Sequence, residues 1–263
     1  MSRIAVVGLG SIGGSVALGS GARGWDRDEA VRERARRRGI AVAEDLAGAL
    51  EGAELVVLAA PTGAIPGLLE DAARLAPDAV LTDCASLKRP VVAAAARLPQ
   101  HARCVAGHPM AGGRAAGIDG ADGALFRGRP WAIVRPARSD DDAVAAVERL
   151  VCSLGARPVP LEAERHDRLM TWISHLPLAV AAALARAASD GGGDDLARLA
   201  GPGLRDTTRL ASTAEPLALE LALADPGPLA DAIDAVAGEL RSASRELRAG
   251  DADALAAFLA GAR

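Results

Sequence analysis

The chain has 263 residues, enough for one large domain or two ordinary ones. Half of them are apolar but only 2% are aromatic, so a sizeable core has to be built from alanine, leucine and valine. A net charge of −4 argues against a nucleic-acid surface.

Cys84, Cys104 and Cys152 lack metal-ligand spacing and cannot all pair with one another, so no metal site and a reducing, cytoplasmic setting are expected. The N-terminus runs directly into RIAVVGLG, so no signal peptide is expected. No apolar run approaches the length of a membrane span. Among 30 lysines and arginines, Lys88 is the single lysine. A lysine that persists where arginine has replaced all others invites a chemical explanation; survival by chance is the alternative.

In chain order, RIAVVGLGSIGGSVAL reads as strand, glycine turn and helix. IAVV (4–7) is too apolar for a half-exposed strand and fits a buried parallel one. A stunted strand is expected at RGWD. The arginine-rich helix 28–38 follows, its run RERARRRG reading as a solvated face. Strands at 54–61, 79–86 and 103–110 alternate with helices at 64–75 and 89–97, and later strands at 130–136 and 156–161 flank a helix at 140–154. Such alternation means βαβ units and a doubly wound parallel sheet of the α/β class.

After residue 162 the strand signals stop. A long helical stretch interrupted at Pro177, a loop at GGGDD (191–195) and two or three more helices are expected. This divides the chain into a Rossmann-type dinucleotide-binding domain, 1–161, and an all-helical substrate and dimerisation domain, 162–263. The helical half has little polar face in 178–188, so burial against a second copy as a homodimer is expected.

Gly8, Gly10 and Gly13 form G-x-G-x-x-G between a buried strand and a helix, the context a dinucleotide fingerprint needs. The pyrophosphate would sit on the helix N-terminus formed by Gly10, Ser11, Ile12 and Gly13, with Ala60 and Pro61 at the end of a neighbouring strand. Asp26 is the candidate ribose acid, although it follows Gly13 by 13 residues where ~20 is usual. Either the first helix is shortened or a segment has been lost. An acid there favours NAD; Arg27 and the neighbouring arginines keep NADP open. TDCASLK and GHPMAG close successive strands, so Ser86, Lys88 and His108 face the ligand crevice. A neutral imidazole there can act as a general base. A histidine that merely caps the loop is the alternative.

GLGSIGGS, TDCASLK, GHPMAG, RHDRLMTWISHLP and GPGLRDTTRLAST, in this order from residue 4 to about 216, resemble the prephenate and arogenate dehydrogenases. The resemblance implies NAD(P)-dependent oxidative decarboxylation of prephenate to 4-hydroxyphenylpyruvate, as in tyrosine biosynthesis. It implies His108 as catalytic base and Ser86 as a second contact to the hydroxyl. It implies Arg209, with Arg205, as the clamp for a dianionic cyclohexadienyl substrate, His175 in the pocket, and Lys88 at the substrate site orienting its loop or bridging domains. His166 and Asp167 read as mainly structural, Asp167 suiting the N-terminus of its own helix.

The sequence departs from the family in three places. Leu178 replaces a frequent histidine, Arg114 a common glutamate, and Leu219 a frequent tryptophan. Arogenate or 4-amino-4-deoxyprephenate therefore remain alternative substrates. An imine or β-hydroxyacid reductase, and a non-catalytic dinucleotide-binding relative, are the rival readings.

Overall fold

A computed structural model describes residues 3–112, 115–223 and 225–261. It divides the chain into two compact units, Met1–Asp167 and Arg168–Arg263. Arg114 lies outside the described residues.

The first unit runs β1 (Ile4–Val7), α1 (Ser11–Ser20), β2 (Arg23–Trp25), α2 (Glu29–Arg37), α3 (Leu46–Leu50), β3 (Leu55–Leu58), α4 (Ile65–Leu75), β4 (Val80–Asp83), α5 (Arg89–Ala95), β5 (Arg103–Pro109), β6 (Pro130–Val134), α6 (Asp141–Ser153) and β7 (Arg157–Pro160). The strands form one sheet in the order β2-β1-β3-β4-β5-β6-β7. Successive strand residues go to opposite faces, as the pleat requires. Val6, Val57, Val105 and Ile133 join one core with α1, α2 and α6; Val7, Val56, Leu81 and Ala106 join the other with α3, α4 and α5. Both faces are therefore covered, which is why the strands read as continuous apolar runs.

The sheet is not wholly parallel. β1 to β5 are parallel, but β6 runs antiparallel to β5, with His108 opposite Ala132, and β7 is parallel to β6. The cause lies in the connection after β5. Among its described residues it carries one short 3-10 turn, Ile118–Gly120, and no crossover helix, so the chain returns beside β5 in the opposite sense. At the far edge, the Arg157 and Leu161 N–H groups donate to the carbonyls of Arg129, just before β6, and Ile133, within it, while Pro158 and Pro160 lie between these donors.

The short gap before Asp26 is met by a three-residue strand. The ten-residue α1 ends at Gly21, whose φ of 72° lets its N–H close onto Ala17, and β2 then pairs directly with β1. The five-residue α3, capped by Asp45, is too short to show a period and was not expected.

Asp140 caps α6 through the Ala143 N–H at 2.6 Å and takes a two-pronged bond from Arg103 at 2.8 and 2.9 Å. The Arg103 guanidinium first, and the Ala143 N–H second, pull its carboxyl down to about 2. A depressed folded pKa gives stability that is present above the ordinary carboxylate range and is lost as pH falls towards 2. Asp140→Ala is expected to cost about 1 kcal/mol through the lost cap. Denaturant unfolding at pH 7 measures this, and the gap from wild type should shrink on acidification.

α7 (Ala163–Met170) spans the end of the first unit and the start of the second. The second unit then has a π-helical turn (Thr171–His175), α8 (Leu176–Leu199), α9 (Pro202–Thr208), a 3-10 turn (Arg209–Ser212), α10 (Glu215–Leu223), α11 (Pro226–Ala249) and α12 (Ala252–Ala260). The long helix is interrupted by the π turn, not by Pro177, which sits in the first turn of α8, where no N–H is needed. GGGDD is not a loop: α8 continues through it to Leu199 with one break at Gly193, φ 53°. The buried cluster of this unit is small, built on Leu176, Leu229 and Ala232, while Trp172, Ile173, Leu240 and Leu247 are more than half exposed.

The expectation about membrane-span length needs correction at one place. The run Ala163–Gly193 is long and apolar enough by length and composition to cross a membrane. It opens with Glu164, Arg165, His166, Asp167 and Arg168, groups that are costly in hydrocarbon, and the same apolarity suits a helix that packs in a protein interior.

Candidate active site

The three glycines do three different things at the C-terminal end of β1. Gly8 has φ 91°, and a Cβ there would lie 2.3 Å from the Ala59 carbonyl oxygen, so the turn presses against the end of β3. A Cβ on Gly13 would lie 1.9 Å from the Gly8 carbonyl oxygen, which locks the helix onto the turn. At Gly10 a Cβ would meet nothing within 4 Å. Gly10 is also the N-cap of α1 and offers no side-chain bond, so the first-turn N–H groups at Ser11, Ile12 and Gly13 have no cap. An open backbone approach over an uncapped helix N-terminus fits a pyrophosphate.

The neighbouring candidates have mixed geometry. The Ser11 hydroxyl donates to the Gly120 carbonyl at 3.2 Å, and Ile12 packs into the core, so both offer backbone only. Ala60 and Pro61 follow β3, half-buried and exposed respectively. Asp26 directly follows β2 and accepts the Leu9 N–H at 2.8 Å, which brings the carboxylate to the glycine loop. The arginine run is not simply a solvated face. Arg32 is held by the Asp26 carbonyl at 2.8 Å, Arg34 by Asp119 at 3.1 Å and Arg36 by Glu44 at 2.6 Å, while Arg38 donates to the Asp119 and Ala121 carbonyls.

His108, half-buried near the end of β5, heads a chain of side chains. Its Nδ1 lies 3.0 Å from His166 Nε2, and His166 Nδ1 lies 2.8 Å from Asp167 Oδ1. His166 is wholly buried and Asp167 nearly so. Asp167 caps a helix N-terminus, but that of α5 and not of its own helix. Its oxygens accept the Lys88 and Arg89 N–H groups at 2.8 and 2.9 Å, and the Arg89 Nε at 3.2 Å. Burial works to raise this carboxyl's pKa, but the bond from His166 and the two backbone donors outweigh it and hold it below the usual range.

A carboxylate accepts only, so His166 carries its proton on Nδ1. Neutral His166 then accepts at Nε2, and His108 must donate from Nδ1. With both rings neutral, this pattern leaves the His108 lone pair on Nε2, the form a general base requires. Sequence reasoning singled out His108 and read His166 and Asp167, to which the structure links it, as mainly structural.

Lys88 is wholly buried and cannot reach a solvent-borne substrate. Its ammonium is committed to Asp83 and to the Gly107 carbonyl. Asp83, also wholly buried, accepts the Ala85 N–H at 2.8 Å and the Gly107 N–H at 3.0 Å. Ser86 lies half-buried in the turn shaped by these bonds. Among the described residues the structure records no bond between Ser86 and His108.

Residues 19–159 match the prephenate dehydrogenase nucleotide-binding domain, and residues 162–261 match the prephenate dehydrogenase dimerization domain. The chain belongs to the prephenate dehydrogenase family. It is 29% identical over 269 residues to the cyclohexadienyl dehydrogenase of Zymomonas mobilis, covering 96% of this chain and 90% of that one. It is 29% identical over 240 residues to the prephenate dehydrogenase of Lactococcus lactis, covering 86% of this chain and 66% of the longer relative. The solved structure of Synechocystis arogenate dehydrogenase superposes with a TM-score of 0.79 at 28% identity, covering 98% of this chain and 96% of that one. The nucleotide-binding match begins downstream of the glycine loop.

Within the part that matches the family's dimerization domain, His175 is buried at the end of the π turn. Arg205 and Arg209 are exposed one helical turn apart, across the junction of α9 and the 3-10 turn after it. Neither forms an ion pair with any described residue. Leu178 is half-buried and Leu219 exposed.

Proposed function

We propose that this family member is an NAD-dependent prephenate dehydrogenase that acts as a cytoplasmic homodimer in tyrosine biosynthesis. The observation that carries this reading is the Asp167–His166–His108 chain, which presents a base beside the strand ends where a dinucleotide loop is built. Asp26 supports NAD over NADP, since a carboxylate there repels a 2′-phosphate. Four arginines of the nearby run are engaged in other bonds.

Gly8, Gly10 and Gly13, the Ser11 and Ile12 N–H groups, Asp26, Ala60 and Pro61 would hold the dinucleotide. When bound, its nicotinamide supplies the acceptor for the hydride from the ring carbon that bears the hydroxyl. His108 Nε2 accepts the hydroxyl proton as that hydride leaves, with Ser86 as a second contact to the oxygen. Loss of the ring carboxylate as carbon dioxide makes the ring aromatic, and His108 returns the proton to the phenolate, so no net proton is consumed. Arg209 and Arg205 suit the two carboxylates of the substrate, because the guanidinium fork matches their geometry. His175 lines the pocket in this reading.

Purified protein with prephenate and either NAD⁺ or NADP⁺, followed at 340 nm, tests the proposal. A rise identifies the reaction and the faster cofactor; no rise with either removes it. Arogenate is the second reading, supported by the likeness to the Synechocystis structure and by Leu178 and Leu219 where the family often differs. A rise with arogenate alone would select it. Arg209→Ala is expected to raise KM for the ring substrate roughly 10- to 100-fold with a smaller change in kcat, the size of a lost charge-assisted hydrogen bond. An unchanged KM would move the carboxylate site elsewhere.

A further inference from the structure

The ladder that holds β5 beside β4 ends before the histidine. Val80, Leu81 and Thr82 pair with Arg103, Cys104 and Val105, and no later residue of β5 is paired with β4. Gly107, His108 and Pro109 pair only with β6, on the other side. On the β4 side the support passes from backbone to side chains. Asp83 Oδ1 accepts the Gly107 N–H at 3.0 Å, and the Lys88 ammonium donates to the Gly107 carbonyl while paired with Asp83. One ion pair therefore grips both polar groups of the residue before His108.

We infer that the buried Asp83–Lys88 pair is a positioning pair that fixes His108 through Gly107, an inference that rests on the reading of His108 as the base. Lys88 acts at both supports of the histidine. Its side chain holds the Gly107 carbonyl, and its own N–H donates to Asp167, the far end of the chain that reaches His108 Nδ1.

Stability alone is a poor reason for such a pair, because well-packed apolar replacements of a buried ion pair are often neutral or better. Geometry is the better reason. A Cβ at Gly107 would lie 2.8 Å from Trp131 Nε1 and 2.9 Å from the Asp83 carbonyl, so the space admits no side chain at 107 and leaves the peptide to be held by the two charged groups.

The test is a four-cornered cycle of wild type, D83N/K88M, H108A and the triple variant, with kcat, KM and thermal unfolding measured for each. D83N/K88M is expected to fold, to keep KM within about threefold, and to lose about 10- to 100-fold in kcat, the scale of a misplaced catalytic group. In the H108A background the same two substitutions should add almost nothing, because there is no base left to misplace. An equal loss in both backgrounds, or full kcat in D83N/K88M beside an inactive H108A, overturns the positioning role alone. Near-normal turnover by H108A overturns the base reading and this inference with it. If D83N/K88M does not fold, ¹⁵N-histidine spectra of Asp83→Asn give the second readout. A shifted His108 Nδ1 signal supports the role, and an unchanged spectrum overturns it.

Discussion

Replacing His108 with alanine is expected to lower kcat by about 10²- to 10⁴-fold, the usual worth of a positioned base. Folding should be intact, because His108 is only half-buried and its strand is held on one side by β6 and on the other by the grip on Gly107. The remaining rate would come from binding and orientation, which do not need the imidazole. Steady-state kinetics beside a thermal melt check both halves of the expectation. Near-normal turnover with normal melting would remove His108 as the base. A collapsed melt would mean that the histidine also supports the strand.

The second large effect is expected from a change of one atom. Asp167→Asn keeps shape and volume but turns one acceptor into a donor. The amide has two orientations. With its NH₂ towards Arg89 it meets two donors, the Arg89 N–H and Nε; with its NH₂ towards His166 it meets one fixed donor, the Lys88 N–H, and a ring that can change tautomer. The second orientation carries less conflict. His166 then accepts at Nδ1 and donates from Nε2, so His108 must accept at Nδ1 and carry its proton on Nε2. The base loses the lone pair it uses. A kcat loss of about 10²- to 10⁴-fold follows, comparable to removing His108 itself. KM should hold, since Asp167 is buried away from any ligand. The variant also loses stability through the remaining donor conflict, about 1–3 kcal/mol for an unsatisfied buried group. Histidine ¹⁵N shifts report the tautomer directly, and unchanged tautomers with unchanged kcat would sink this account.

Much of the fold was legible because buried parallel strands are written as unbroken apolar runs. IAVV and LVVL sit where they were expected, as does the turn after β4 that carries Ser86, while His108 lies within the last residues of β5 itself. Direction is not written in such runs. PWAIV reads the same either way, and its reversal goes with a connection that, among its described residues, carries only the 3-10 turn Ile118–Gly120. GGGDD looked like a loop because glycine disfavours helix, yet the break is confined to Gly193, where two helical segments meet at a kink.

At the site, His108 was visible as a strand-end histidine. Its partner His166 is 58 positions away and reads locally as a helix residue beside a helix-favouring acid. Asp83 stood in plain view within TDCASLK, but sequence does not reveal that a charged side chain will be wholly buried, nor which distant peptide it will hold. Contact across chain distance, not residue type, is what was missing in each case.

The two prolines of β7 have a meaning for how copies of this chain can meet. An outer strand with free outward N–H groups invites a further strand from another molecule. Here the residues that alternate with the donors to β6 are Pro158 and Pro160, so at those two places the edge has no hydrogen to offer. The edge is poorly suited to sheet growth on that side. Self-recognition by strand addition is blocked there, and a stable pair of copies has to be made from other surfaces.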